Sequence, residues 1–340
     1  MNFIRREFIY IWMVIFILGV NLLGPAHPHK KDAPDKKTIS SMTFKDMGIT
    51  EAKVKSFFES GRPSALFFKY GFFIGFFMLM LGIAMNLLFF LGKKEIMSGA
   101  NAQKRPVSWD MSDIVRVVII TVFSGYVLSA AGGAVLKSLH FNIDTNLKLM
   151  LATLLIDIIA GAAIIYLALF KYRENLSSLG IVFSNFYKNV ISGITAYIFI
   201  LPLLIASLII SILFLEAIGY KAPSQPVFDV LLEEKRGSAI LFFTIFVSVA
   251  GPIMEELFFR GFLYSAIRKR FGVFTGVLLS GALFSSLHAN LAGFLPIMIL
   301  GALMAFIYEV TGSLVASASV HILHNSIIVG FIFFIKEIIR

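Results

Sequence analysis

The sequence predicts an all-α fold: a polytopic transmembrane bundle of about nine membrane segments, with a catalytic core in the last four. Three observations carry that prediction. Of 340 residues, 58% are hydrophobic, against roughly 45–50% in ordinary soluble domains. Mean hydropathy is +0.87, and several apolar runs reach or approach the ~20 residues that cross a bilayer as a helix. Polar residues fall mostly between those runs along the chain and recur more densely inside them near its end. The abundance of Phe, 36 residues, suits packing between helices and against lipid.

The first segment covers about residues 7–24. With Arg5 and Arg6 ahead of it, it looks like a signal peptide. Leu22-Leu23-Gly24 is a poor cleavage site, however, so the segment reads as a retained helix. The stretch 25–64 is a polar loop with lysine pairs at 30–31 and 36–37, too short for an independent core. His27 and His29, beside prolines in that loop, read as bystanders. A short surface helix fits within 41–60. Segment two, 66–92, contains Gly71-x-x-x-Gly75, a spacing that permits close helix approach. A basic connection, 93–113, leads to segment three, 114–136, and segment four, 149–170. Asp157 lies near the centre of segment four, either as a relay group or, more simply, hydrogen-bonded to a neighbouring helix.

After the basic connection 171–189 comes segment five, 190–218, which Pro202 is expected to kink because proline removes a backbone donor. A polar loop, 219–238, separates it from the last four segments, 239–267, 273–289, 293–310 and 313–335. Their turns are short: Phe271-Gly272, Asn290 to Ala292 and Thr311-Gly312. Short turns make consecutive helices antiparallel neighbours, so residues 239–335 form a compact helical core and 1–238 the N-terminal membrane segments.

Charge and cysteine content narrow the functions. The net charge is +10, but the basic residues flank apolar segments. They serve headgroup contact and topology, and nucleic acid is not an expected partner. Arg5, Arg6, Lys93, Lys94, Lys104, Arg105 and Arg268-Lys269-Arg270 favour one face as cytoplasmic, in a multi-pass protein of the cell membrane. With no cysteine, disulfides, thiol catalysis and Cys-ligated metal are excluded.

The chemistry concentrates in Gly251-Pro252-Ile253-Met254-Glu255-Glu256-Leu257-Phe258-Phe259-Arg260-Gly261. Two adjacent carboxylates and a guanidinium at membrane depth are costly unless paired, and by default they mark a functional site. His288, His321 and Asn325 are the expected partners. Counting from the basic end at Arg270, Glu255 and His288 both lie roughly 22 Å up their helices, Asn325 roughly 20 Å, and His321 and Arg260 roughly 14–15 Å, at 1.5 Å per residue. Glu256 and Arg260, Phe284 and His288, and His321 and Asn325 are each spaced i,i+4, so each pair shares one helix face. His324 borders the same stripe.

Carboxylates, imidazoles, an amide and a guanidinium, without a prominent Ser or Cys nucleophile, point to an activated water. Glu255 or Glu256 is the general base, helped by His288. His321 and Asn325 can donate to a developing oxyanion, and Arg260 can orient the second carboxylate. No cofactor is required. Two His and a Glu would also suffice for zinc, although His-Glu-x-x-His is absent. A structural polar network, a scaffold or a transporter relay is the third reading.

Glu255-Glu256-x-x-x-Arg260, Phe284-x-x-x-His288 and His321-x-x-x-Asn325 resemble the motifs of the CAAX prenyl protease type II family, also called CAAX proteases and bacteriocin-processing enzymes. Pro252-x-x-Glu-Glu-x-x-Phe-Arg-Gly and Tyr308-Glu-x-Thr-Gly-Ser-Leu add to the likeness, which covers about residues 239–330. It implies an intramembrane endopeptidase with an eight-helix-like core, acting on a membrane-associated protein or peptide. By that resemblance Glu255 and His288 activate water, His321 and Asn325 form the oxyanion site, and Glu256 and Arg260 support them. Substrate and oligomeric state are not encoded in the motifs.

Overall fold

The computed structural model describes residues 2–23, 46–92, 107–138, 144–220 and 226–339. His27, His29, most of the 25–64 loop and the basic residues Lys93, Lys94, Lys104 and Arg105 lie outside the described residues. Twelve α-helices follow one another among the described residues, with no strand: α1 (Asn2–Leu23), α2 (Glu51–Glu59), α3 (Pro63–Leu91), α4 (Met111–Ser138), α5 (Thr145–Tyr166), α6 (Phe186–Ala217), α7 (Pro226–Glu233), α8 (Gly237–Ile245), α9 (Gly251–Glu256), α10 (Ser265–Leu287), α11 (Phe294–Thr311) and α12 (Leu314–Ile339).

Seven stretches among the described residues are long and apolar enough to cross a membrane, and Glu7–Leu22 is a shorter apolar helix. The chain is an integral, multi-pass membrane protein. One of the seven, Gly237–Leu287, has 51 residues. A straight helix of that length would run about 77 Å, far beyond the ~30 Å hydrocarbon core. It doubles back at Gly272, whose φ of 84° and ψ of 173° only glycine tolerates readily. The Ser280 hydroxyl donates to the Phe259 carbonyl across the fold (3.4 Å). Segments six and seven are therefore an antiparallel pair meeting at the expected turn.

Other elements refine the sequence reading. The short surface helix materialises as α2, capped by Thr50, whose hydroxyl accepts from the Lys53 N–H. Phe57 and Phe58 of α2 pack on Phe334 of α12. The loop 219–238 contains α7. Pro202 lies inside an otherwise continuous α6. Gly71 and Gly75 face open space, so their spacing serves no contact among the described residues. The close approach of α3 to α6 is made instead at Gly82, against Ile198 and Pro202. Most of α3, from Phe67 to Leu91, exposes large apolar side chains, as a lipid-facing helix must.

Two polar clusters hold the ends of the bundle, and neither was singled out from the sequence. At one end Asp113, fully buried, accepts from Arg116 (2.7 Å) and Lys171 (2.5 Å) and from the Tyr172 hydroxyl. Arg116 also pairs with Glu7 of α1. Near this end Trp109 is buried and donates to the Phe262 carbonyl (3.0 Å), and Arg268 pairs with Glu309 (2.9 Å). At the other end Lys336 donates to the carbonyls of Leu231 and Glu234. Hydrogen bonds from Arg236 push the Glu234 carboxyl down from 4.5 to about 2. Its contribution to stability is thus complete above its ordinary value and is lost as pH falls toward 2.

The core bundle packs backbone to backbone where α10 crosses α11. A Cβ on Gly281 would lie 2.8 Å from the Ala302 nitrogen and 2.8 Å from the Met298 carbonyl oxygen, and Gly301 faces Gly281 across the crossing. Backbone cannot yield there as a side chain could. Gly281→Val is expected to destabilise the protein by on the order of 1–3 kcal/mol, readable as a lowered melting temperature of the purified protein in detergent.

Candidate functional site

The site is built on the α8–α9 stretch, which does not run as a regular α-helix. Phe246–Ala250 and Leu257–Tyr264 are π-helical, on either side of α9. Such widened turns are common at functional sites. The first has an identifiable cause and use. In the π register the Val247 carbonyl looks for the N–H five residues on, and that residue is Pro252, which has none. The Asn325 amide supplies the missing donor from α12, 2.9 Å from the Val247 oxygen.

Glu256 is wholly buried. Its Oε1 lies 3.0 Å from His321 Nδ1, and its Oε2 faces Arg260 Nε at 3.2 Å. The latter contact is an ion pair without hydrogen-bond alignment, since neither atom has a properly directed partner. Arg260, also fully buried, donates from Nη2 to the Gly301 carbonyl (3.3 Å) and lies over the Phe284 ring at 4.7 Å. A buried guanidinium with a carboxylate on one side and an aromatic face on the other is held in a fixed plane.

Glu255 differs from its neighbour. Its side chain keeps 38% exposure, and its Oε2 lies 3.7 Å from His321 Nε2. His321, itself 2% exposed, therefore has a carboxylate at each ring nitrogen. The bond to Glu256 makes Nδ1 the natural proton-bearing nitrogen and leaves Nε2 facing Glu255.

His288 enters at the end of α10, where it caps the helix. Its Nδ1 lies 2.8 Å from the Phe284 carbonyl. A carbonyl can only accept, so Nδ1 carries the proton and Nε2 is left with its lone pair free. Phe284 joins the parts. Its ring centroid is 4.7 Å from that of His288, 5.4 Å from His321 and 5.0 Å from Phe259.

The expected residues thus fall into two groups. Glu255, Glu256, Arg260 and His321 form one chain of contacts. His288 joins them through the Phe284 ring and bonds to its own helix. Asn325 is tied to a carbonyl of the site helix, and its second N–H has no partner among the described residues. Among the described residues no three His, Asp or Glu side chains converge as a set able to hold a metal ion.

Two residues from the N-terminal part complete the surroundings. Tyr197 of α6, 2% exposed, places its hydroxyl 3.2 Å from His324 Nδ1. In the apolar middle of α6 nothing but its polar tip could have singled it out. Asp157 of α5 is half-buried, one turn before Gly161, which abuts the Met254 and Leu257 side chains. The bond to another helix that its position suggested is not found among the described residues. Beside α9 lies a cavity of about 340 Å³. Glu256, Ile253 and Leu257 form one wall, with Val182 and Phe186 before and in α6 and Val315 of α12 around it.

Residues 237–327 match the family model described as Type II CAAX prenyl endopeptidase Rce1-like, the same family that the three motifs resemble. The match spans the site helices and all six expected residues. It supports a CAAX-type intramembrane endopeptidase, for which a protein substrate in the membrane is implied. No curated protein and no solved structure matches the chain.

Proposed function

We propose that the protein is an intramembrane endopeptidase of the cell membrane in which Glu255 is the general base for a hydrolytic water. The observation that carries this reading is the contrast between the two adjacent carboxylates. Glu256 is enclosed and committed to Arg260 and His321, whereas Glu255 is open and faces the same imidazole. A base must reach water, so Glu255 takes that role and Glu256 holds His321 in place.

The reaction then runs through this chain's own groups. Water, held between Glu255 and the free Nε2 of His288, gives a proton to Glu255 as its oxygen attacks the scissile carbonyl carbon. The oxyanion is met by the spare N–H of Asn325 and by His321 when Nε2 carries a proton. The C–N bond breaks, and the proton held by Glu255 passes to the leaving nitrogen. The adjoining apolar cavity suits an apolar side chain of a membrane-associated protein or peptide. No step needs a metal.

The test is cleavage of a library of membrane-tethered peptides by the purified protein, with and without a chelator. His288→Ala is expected to lower cleavage by about 10²–10⁴-fold, the range for loss of an acid–base group, with unchanged thermal stability. Undiminished cleavage by that variant would overturn the role of His288. Loss of activity on chelation, restored by zinc, would favour the metal-dependent version.

A further inference from the structure

We infer that Tyr197 is a positioning residue for the reaction: through its hydrogen bond to His324 it sets the rotation of α12, and so the aim of His321 and Asn325. This rests on the reading of those two residues as oxyanion donors given above. Tyr197 lies outside the stretch that matches the family model, and neither the three motifs nor the proposed chemistry uses Tyr197 or His324.

The bond joins two helices. The Tyr197 hydroxyl of α6 lies 3.2 Å from His324 Nδ1 of α12. The two rings meet edge to face, with centroids 5.9 Å apart and planes at 62°. Tyr197 is buried, so the hydroxyl is delivered from inside the protein. One turn earlier, Gly193 brings the two backbones together. A Cβ there would collide with the Ala316 carbonyl oxygen and lie 3.0 Å from the Ser319 Cβ. That close crossing sets where Tyr197 starts relative to α12, and a tyrosine has only two side-chain torsions with which to drift. Its hydroxyl is thus a fixed point for His324.

α12 then has three directional contacts within little more than one turn. His321 meets Glu256 at 3.0 Å, Asn325 donates to the Val247 carbonyl at 2.9 Å, and His324 meets Tyr197. Spacings of three and four make these residues neighbours on the helix surface. The first two contacts reach the α8–α9 stretch, and the third reaches α6. Elsewhere α12 is held by apolar side chains such as Val320, Val329 and Ile332, all buried. Apolar burial is non-directional and tolerates a small roll of the helix. Two bonds to one neighbouring stretch leave α12 free to rock about them. A bond to a second neighbour removes that freedom.

Stability alone does not call for this pair. Among the described residues neither Tyr197 nor His324 has another hydrogen-bond partner. Two polar groups that satisfy only each other add little over apolar groups of the same shape. What the pair supplies is direction. A phenol O–H is a stronger acid than a neutral imidazole N–H, so the hydroxyl donates, Nδ1 accepts, and His324 carries its proton on Nε2.

The test is Tyr197→Phe, which keeps the ring and removes the hydroxyl. It is read by NMR on the full-length protein in detergent, with isotope-labelled histidine and asparagine. In the wild type His324 should appear as the Nε2–H tautomer with Nδ1 accepting. In Y197F its Nδ1 signal should shift, and exchange of the Asn325 side-chain amide with water should rise about tenfold, the weight of one neutral hydrogen bond. His324→Phe should raise that exchange to a similar degree, and the double variant no further. On a tethered peptide, kcat of Y197F should fall about tenfold, with KM and melting temperature unchanged. An unaltered His324 signal in Y197F would mean that the bond is not made. A shifted His324 signal with wild-type exchange at Asn325 would mean that the bond positions nothing. Either result overturns the inference, as does an unchanged kcat in a preparation that cleaves. The NMR outcomes need no substrate, so if the wild type cleaves nothing the peptidase reading fails and they still decide what Tyr197 does to α12.

Discussion

Glu255→Gln should reduce peptide cleavage by at least about 10²–10⁴-fold, the span associated with a general base, while the protein still inserts and unfolds at the wild-type temperature. The two halves of this expectation come from the same exposure. A side chain that is 38% open can lose its charge without disturbing the bundle. The loss should fall on kcat rather than KM, because the carboxylate acts only as the water attacks. Single-turnover kinetics on a tethered peptide would separate the two. A Gln variant that cleaves normally would transfer the role of base to another group and end the proposed mechanism.

The second large effect is on stability. Glu256→Ala should destabilise the protein by about 3–5 kcal/mol, the cost of breaking a buried ion pair by removing one partner. Arg260 is fully enclosed, with Glu256 opposite its Nε and only the Gly301 carbonyl bonded at Nη2. Without the carboxylate its charge is left in an apolar setting against the Phe284 ring. The double change Glu256→Ala with Arg260→Met, which removes both charges, should recover much of that loss. Equal melting temperatures for the wild type and Glu256→Ala would mean that the guanidinium finds another partner. Activity in Glu256→Ala should also fall, because His321 loses the contact that orients it.

Much of this arrangement could be read along the chain, and the reasons differ from residue to residue. The Glu256–Arg260 pair was legible because i,i+4 neighbours on a helix must meet, and they do at 3.2 Å. The reversal at Gly272 was legible because a short turn between two spans leaves the chain nowhere else to go. Contacts across long separations were not. Trp109 and Phe262, Arg268 and Glu309, and Tyr197 and His324 are joined only by the way helices pack. A span that is apolar on every face gives no periodic signal to say which side turns inward. The same limit explains His288. Its helix could be read from the sequence, but the bond that its Nδ1 makes to the carbonyl one turn back depends on rotamer and helix end.

Sequence reasoning also treated the site helix as regular. Its two widened turns change which residues face α12. Proline at 252 was visible from the start, but its effect on the carbonyl five positions earlier emerges only once the helix is known to be widened there.

The bond from Asn325 to the Val247 oxygen has a mechanical corollary. It ties the span bearing His321 and Asn325 to the span bearing Glu255, through a main-chain acceptor that is itself fixed in the helix. In the proposed mechanism, the interval between the group that takes the proton and the group that steadies the negative charge is therefore gauged in part by the backbone itself.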